Sequence, residues 1–374
     1  MKIAVNTRLL LRGRMDGIGW FIHETMQRMT RQHPEHQFYF LFDRKYDEKF
    51  VFSDNVTPVV LFPQARHPFL YFLYFEFAVR KALNKIQPDV FLSPDGYLSL
   101  GSKFPQLAVF HDLNFEYYPQ DLPKLEAKYY RYFFPRYARK ASCIATVSEY
   151  SKADISRLYN VDSEKIDVVY SAAKDGFSPI ELCEKQKLQQ EYTKGCPYFI
   201  FVGSLHPRKN LVNLFKAFDL FKQQNQSDQK LLIVGNKKWW TEDMRLTYEN
   251  MQFREDVIFP GRVENDVLFK MIAGAEALTY VSYFEGFGVP PIEAYQCHIP
   301  VITSKVTSMP EIAGDGAILV DPFDVQDIAN AMRDILFDKD RREELIRNAI
   351  NRKNVFTWQR TTDLLYNCLV KAVQ

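Results

Sequence analysis

Tyr198-Phe199-Ile200-Phe201-Val202-Gly203-Ser204-Leu205-His206-Pro207-Arg208-Lys209-Asn210-Leu211 decides how this chain is built. Its first five residues are all apolar, which suits a strand buried on both faces of a parallel sheet. The run stops at Gly203. From Leu211 a helical period takes over, with Leu214, Phe215, Phe218 and Phe221 on the same face. Asn210 is a residue type that caps such a helix. Strand, glycine turn and amphipathic helix open a βα unit, and Arg208 and Lys209 fall on the sheet edge where such units bind ligands.

The same rhythm extends in both directions. Before this stretch, strands are expected at 2–6, 37–42, 89–93, 106–110, 142–147 and 166–170, with helices at 18–32, 69–87, 124–140 and 149–159. After it, strands follow at 231–235, 256–259, 277–282, 299–303 and 317–320. Alternating strands and helices predict an α/β protein with doubly wound parallel sheets. A length of 374 residues is comfortable for two cores. Residues 178–197 are polar and charged without strand signal, so they read as a linker between a first domain, 1–177, and a second, 198–356. A closing helix at 357–374 is capped by Thr357.

Composition narrows the function. Hydrophobic residues make up 47% and charged residues 25%, as in ordinary globular proteins, and 48 basic against 46 acidic side chains leave +2. That balance lacks the footprint of a nucleic-acid binder. Five cysteines stand apart with no C-x-x-C spacing, which argues against a disulfide framework or zinc site and for a reducing compartment. No apolar signal region opens the chain. The longest apolar run, Phe69 to Phe75, is far short of the ~18 residues of a membrane span. A cytoplasmic protein is expected, in contact at most with the inner face of a membrane. His67–Lys85 and Lys124–Lys140 mix aromatics with basic residues. Phe69, Phe72, Leu73, Phe75, Tyr129, Tyr132 and Phe133 are read as core, a lipid-facing surface being the alternative. Asp338-Lys339-Asp340 lies between two helical runs, where acids cap helices, and no metal site is expected there.

A second stretch carries chemistry: Glu285-Gly286-Phe287-Gly288-Val289-Pro290-Pro291-Ile292-Glu293. Gly286 and Gly288 allow the backbone close to a ligand, and the two prolines suit a first helical turn. Helix amides and dipole there would attract an anion. Alone, Glu293 reads as a capping residue, and the Arg208-Lys209 pair alone reads as a solvated basic turn. His111-Asp112 ends the 106–110 strand, where a lone histidine is more often structural. Gly17-Ile18-Gly19, near Asn6 and Arg8, forms a short glycine loop, Phe259-Pro260-Gly261-Arg262-Val263 ends another strand, and Thr303 and Ser304 follow a third.

Taken as strings, these motifs resemble one family. Glu285 to Glu293 resembles the E-x7-E signature of retaining GT-B glycosyltransferases of the large family 4, the glycosyl transferases group 1. Gly203 to Leu211 resembles that family's G-x-L-x-P-x-K-N loop, and His111-Asp112 its His-Asp pair. The resemblance implies a GT-B fold of two Rossmann-like domains facing across a cleft, with the closing helix returning to the first domain. It implies metal-independent hexosyl transfer from a nucleotide-diphosphate sugar, with no other cofactor. Lys209 then binds phosphate beside Arg208, Glu285 holds sugar hydroxyls, Glu293 holds ribose, and Val263 offers its backbone to the base. Gly203, Ser204, Gly286, Phe287, Gly288 and Val289 complete the donor-binding set. His111 and Asp112 are the catalytic pair with Glu285, and Gly17 and Gly19 form a phosphate or acceptor loop. Many members carry Arg where this chain has Ser204, which leaves more for Arg208 to hold. Similarity of the Pro207–Asn210 turn to bacterial mannosyltransferases puts GDP-mannose ahead of UDP-sugars. The expected acceptor is a glycan or lipid-linked saccharide of cell-surface polysaccharide or lipopolysaccharide synthesis. A GT-B sugar-nucleotide epimerase and a catalytically silent nucleotide-sugar-binding protein are the alternatives.

Overall fold

The computed structural model describes residues 1–13 and 15–374. Two compact units emerge: Met1–Ser171 together with Thr357–Gln374, and Ala172–Phe356.

The first unit is a parallel sheet of seven strands: β1 (Lys2–Asn6), β2 (Gln37–Phe42), β3 (Val56–Val60), β4 (Val90–Ser93), β5 (Gln106–Phe110), β6 (Cys143–Thr146) and β7 (Ile166–Val168). Their order is β3-β2-β1-β4-β5-β6-β7. The buried strands are near-continuous apolar runs, as a sheet covered on both faces requires. The sequence pattern places six of them to within two residues and misses β3. There Pro58 interrupts the strand signal, and a proline is tolerated because β3 lies at the sheet edge. The helix Trp358–Val373 packs on the helix Gly17–Gln32, with Trp358 edge-on to Phe21 at 6.3 Å. It also brings Cys368 beside Cys143 and Asp167, which no spacing could reveal, and Lys371 pairs with that aspartate at 2.8 Å.

The expected helix at 69–87 is broken. Pro68–Leu73 is α-helical, Tyr74–Val79 is a π turn, and Arg80–Ile86 is α-helical again. The widened turn buries Tyr74, Phe75 and Val79 and leaves Phe72 and Phe77 outside. The core expectation therefore holds for Phe75 and Tyr129 and fails for Phe69, Phe72 and Tyr132, which are exposed.

In the second unit six parallel strands run β8 (Tyr198–Val202), β9 (Lys230–Val234), β10 (Val257–Gly261), β11 (Ala277–Tyr280), β12 (Val301–Ser304) and β13 (Ala317–Val320). Their order is β10-β9-β8-β11-β12-β13. Strand order reverses between β8 and β11, and loops leaving such neighbours diverge to open a crevice at the strand C-termini. The corresponding point of the first unit lies between β1 and β4. Asp338 caps the helix Lys339–Lys353 by accepting from the Arg341 amide at 2.9 Å. Among the described residues, no helix is long and apolar enough to cross a membrane.

Candidate functional site

The loops leaving β8 and β11 bring Arg208, Lys209 and Glu285 together. Lys209 Nζ donates to Glu285 Oε1 at 2.5 Å and to the Tyr280 hydroxyl at 2.5 Å. Arg208 Nη1 donates to Glu285 Oε2 at 2.6 Å and to the Phe284 carbonyl at 3.1 Å. Tyr280 closes the group by donating to Glu285 Oε1 at 2.9 Å. Glu285 and Lys209 are buried. Burial alone would raise the Glu285 carboxyl, but Arg208 and Lys209 outweigh it and hold the group down to about 2. An Arg and a Lys are thus gathered on one buried carboxylate at the sheet's ligand edge, where cationic donors suit an anion.

Local backbone geometry makes this corner. Pro207–Lys209 is a short 3-10 turn begun by His206, whose Nδ1 accepts from the Arg208 amide at 3.4 Å. Asn210 does not cap the following helix, Leu211–Asn225, as its residue type suggested. It sits at φ +62°, a left-handed conformation that asparagine tolerates, and its side chain donates to the Val281 and Pro322 carbonyls at 3.0 and 2.6 Å. The residue ties the loops after β11 and β13 to the basic turn. Gly235, after β9, is required by close approach: a Cβ there would stand 1.9 Å from the Gly203 carbonyl oxygen.

Glu285 leads into the helix Val289–Gln296. Gly288 has φ +86°, and a Cβ on it would meet Met309 Sδ at 2.8 Å. Ser308 Oγ donates to the carbonyls of Glu285 and Phe287 at 3.0 and 3.3 Å, and the Glu285 amide donates to Thr307 Oγ1 at 3.3 Å. Pro290 and Pro291 carry no N–H. The helix amides expected across 290–293 are thus reduced, and the donors the N-terminus can present are those of Gly288 and Val289. Phe287 is buried edge-on to Phe356 at 5.5 Å.

Glu293 is the counterpart of Glu285 in environment as well as sequence. It is 7% exposed, and its carboxyl makes no hydrogen bond or ion pair with any described residue. Burial pushes it up from 4.5 to about 7, with Lys174 pulling weakly the other way. A buried carboxyl lacking a partner is costly and suits a ligand that supplies hydroxyl donors.

The other expected residues are more scattered. Gly203 follows β8 beside Lys209, where a Cβ would stand 3.9 Å from Lys209 Cε, while Ser204 is exposed and Val263 is half-buried beyond β10, the sheet's edge strand. Thr303 Oγ1 is committed to the Tyr280 carbonyl at 2.8 Å, whereas Ser304 Oγ is buried without a hydrogen-bond partner among the described residues. In the first unit, His111 Nε2 donates to the Pro94 carbonyl at 2.8 Å, which leaves Nδ1 as the acceptor nitrogen. Its ring stands edge-on to Phe21 at 5.2 Å, and burial lowers its pKa, keeping it neutral. Asp112 accepts from the Asn114 amide at 3.1 Å. Gly17 begins a helix, and the Gly19 amide donates to the cap residue Asp16 at 2.9 Å.

Sequence reading missed Tyr280, Thr307, Ser308 and, in the first unit, Asp95. Asp95 receives Arg8 Nε at 2.6 Å and Asn6 Nδ2 at 2.7 Å, at the switch point between β1 and β4. Its signal was the Ser93-Pro94-Asp95-Gly96 turn directly after an apolar strand.

Known proteins bear on the family and the fold. The family model described as glycosyl transferases group 1 matches residues 184–352, and that of glycosyltransferase family 4 matches 15–173. The O-antigen chain mannosyltransferase B of Escherichia coli is 28% identical over 76% of this chain and 75% of its own length. The O-antigen chain mannosyltransferase RfbU of Salmonella typhimurium is 30% identical over 62% of this chain and 60% of its own. Among solved structures, Anabaena Alr3699/HepE in complex with UDP and glucose superposes with a TM-score of 0.77 at 16% identity, covering 99% of both chains. WaaG, a glycosyltransferase involved in lipopolysaccharide biosynthesis, gives 0.75 at 15% identity over 98% of this chain and 99% of its own. These structural likenesses speak for the fold. With the paired family models taking up both units in turn, the chain belongs to the GT-B glycosyltransferases of the family 4 type.

Proposed function

We propose that this protein is a retaining hexosyltransferase that moves mannose from GDP-mannose to a glycan or lipid-linked saccharide during cell-surface polysaccharide synthesis. The observation that carries the reading is the gathering of Arg208 and Lys209 on Glu285, together with the buried Glu293 carboxyl whose pKa burial raises to about 7. A diphosphate answers the first and ribose hydroxyls answer the second. The curated relatives named as mannosyltransferases support mannose over other hexoses.

Cleavage at the anomeric carbon leaves negative charge on the diphosphate. Arg208, Lys209 and the amides of Gly288 and Val289 supply compensating charge and dipole, so the reaction needs no metal ion. Glu285 has a double task in this scheme: it holds two like charges side by side, and it offers acceptor oxygens to sugar hydroxyls. Gly203, Ser204, Gly286, Phe287 and Val263 line the donor, with Val263 meeting the base. His111 and Asp112 take the catalytic role that the family resemblance gives them, and Gly17 and Gly19 that of a loop for phosphate or acceptor. Attack by the acceptor hydroxyl on the face the leaving group departs retains the anomeric configuration, a donor phosphate oxygen taking the proton. The protein works in the cytoplasm against the inner membrane face, where a lipid-linked acceptor is presented.

Thermal shift against GDP-mannose and a set of UDP-sugars, followed by nucleotide-diphosphate release with a saccharide acceptor, tests the reading. A ligand bound only by the native state raises its stability. Stabilisation and acceptor-dependent release with GDP-mannose are expected. Release of an isomerised donor without acceptor would make the protein an epimerase, and binding without turnover would make it a silent partner.

A further inference from the structure

The first unit carries a surface that the donor chemistry leaves unused. Residues 66–85 hold four Lys and Arg against one Glu, and 124–140 hold six against one, in a chain whose total is only +2. Between these cations lie aromatic and aliphatic side chains turned outward. Phe69 is 62% exposed, Phe77 61%, Leu125 61% and Tyr132 52%. The Phe72 ring lies 5.9 Å from Phe77 and 6.1 Å from Phe133, and Phe133 is 4.9 Å from Tyr132. Phe69, Phe72, Leu125, Tyr132 and Phe133 line an apolar groove of about 380 Å³ in which Lys128 is the charged residue. Phe72, just before the π turn at Tyr74–Val79, and Phe77, within it, both stand outside the core.

Contiguous exposed apolar surface is rare on a protein without a partner for it. The charge says which partner. Lys124, Lys128, Arg131, Arg136 and Arg80 are exposed around the apolar patch. Of the nearby acids, Glu76 is spent on the Leu100 and Gly101 amides at 2.7 and 3.0 Å, and Glu116 pairs with Arg131 at 3.2 Å. Glu126 is the remaining acid of the Lys124–Lys140 helix, and it is half-buried. A second copy of the chain would set cation against cation. An amphiphile with apolar chains and a negative head group complements both features.

We propose that this face docks on an anionic phospholipid bilayer, with Phe69, Phe72, Leu125 and Tyr132 entering the acyl boundary and Lys124, Lys128 and Arg136 meeting lipid phosphates. The proposal rests on the lipid-linked acceptor of the preceding reading for its purpose, and its test needs no transfer. The full chain is sedimented with vesicles of phosphatidylcholine alone and of phosphatidylcholine with phosphatidylglycerol, at low and high salt. Binding to the anionic vesicles should be about tenfold or more tighter and should weaken with salt. Two exposed-site variants, Phe69→Ser with Leu125→Ser and Lys124→Glu with Lys128→Glu, should each lose most of that binding while keeping the donor-induced thermal shift. Equal binding to both vesicle types, or wild-type binding by either variant, overturns the proposal. So does a dimer in sedimentation that the same substitutions abolish, because a second copy would then occupy the groove. Loss of vesicle binding with an intact donor shift refutes this inference alone, whereas a missing donor shift refutes the proposed activity.

Discussion

Glu293→Gln is expected to make the protein more stable and less useful, and the two effects share one titration. The Glu293 carboxyl sits at about 7 in the fold against 4.5 when hydrated. Below pH 4.5 it is protonated in both states and behaves like the isosteric amide. Between 4.5 and 7 the unfolded chain ionises while the folded chain keeps its proton, so native stability is lost progressively as pH rises. Above 7 the loss is complete. At 1.36 kcal/mol per unit, the penalty is about 3 kcal/mol at pH 8 and less than about 1 kcal/mol at pH 5. The Gln variant escapes it. Its midpoint of thermal unfolding should exceed wild type by several degrees at pH 8, at about 2–4 °C per kcal/mol for a unit of this size, and by little at pH 5.

Donor affinity should move the opposite way. If ribose hydroxyls donate to the ionised carboxylate, only that form binds well, and the ionised fraction rises about tenfold from pH 6 to pH 8. Wild-type affinity for GDP-mannose, read by calorimetry, should follow that rise and release protons at neutral pH. The Gln variant should bind weakly with no such slope. A stability gain that is flat with pH, or larger at pH 5 than at pH 8, would falsify the claim that Glu293 is a strained, waiting carboxyl.

Lys209→Met should lower transfer by about 10² to 10³, the usual loss when one donor to a developing anion is removed, while the donor still binds detectably; near-normal turnover would remove Lys209 from the reaction. Glu285→Gln should destabilise the second unit by roughly 3 kcal/mol, because the buried Lys209 and the half-buried Arg208 lose their shared anion. With the folded group at about 2, that advantage of the wild type should persist from neutral pH down to about 4.5 and fade only as pH drops toward 2; urea unfolding across that range checks it. His111→Ala should cost about 10² or more in turnover with the donor-induced thermal shift largely kept, and an equal loss of both would assign it to binding instead. Transfer should survive a strong chelator unchanged, and recovery by added magnesium after a loss would contradict the charge scheme.

How much of this was written in the sequence depends on the range of the forces involved. Strand positions were readable because a doubly covered parallel sheet demands apolar runs, and those runs lie in the local string. β3 was hidden because Pro58 removes a ladder donor, a defect that only an edge position excuses. The outward turn of Phe69, Phe72 and Tyr132 was hidden for a different reason. Aromatic residues at helical spacing look the same in either direction, and which face meets the sheet is settled by packing between elements that the local string does not encode. The meeting of Cys143, Asp167 and Cys368 depends on where a terminal helix docks, and no local pattern encodes that.

The site shows the same division more sharply. Motif strings located Arg208, Lys209, Glu285 and Glu293, since strand ends and glycine turns fix which residues reach the sheet's ligand edge. They could not tell the two glutamates apart. Seven residues separate them, and the fold puts one against two cations and a tyrosine hydroxyl and buries the other without a hydrogen bond to any described residue, Lys174 being its charge neighbour. One carboxyl is ionised under nearly all conditions and the other titrates near neutrality. The difference comes from Tyr280, Asn210 and the Thr307-Ser308 loop, whose contacts cross between strands far apart in the chain. A carboxylate fixed in place can organise cations before any donor arrives. A carboxyl that titrates near neutrality would be drawn further into its charged form by hydroxyl donors, and in the proposed scheme donor capture would then complete the site's electrostatics.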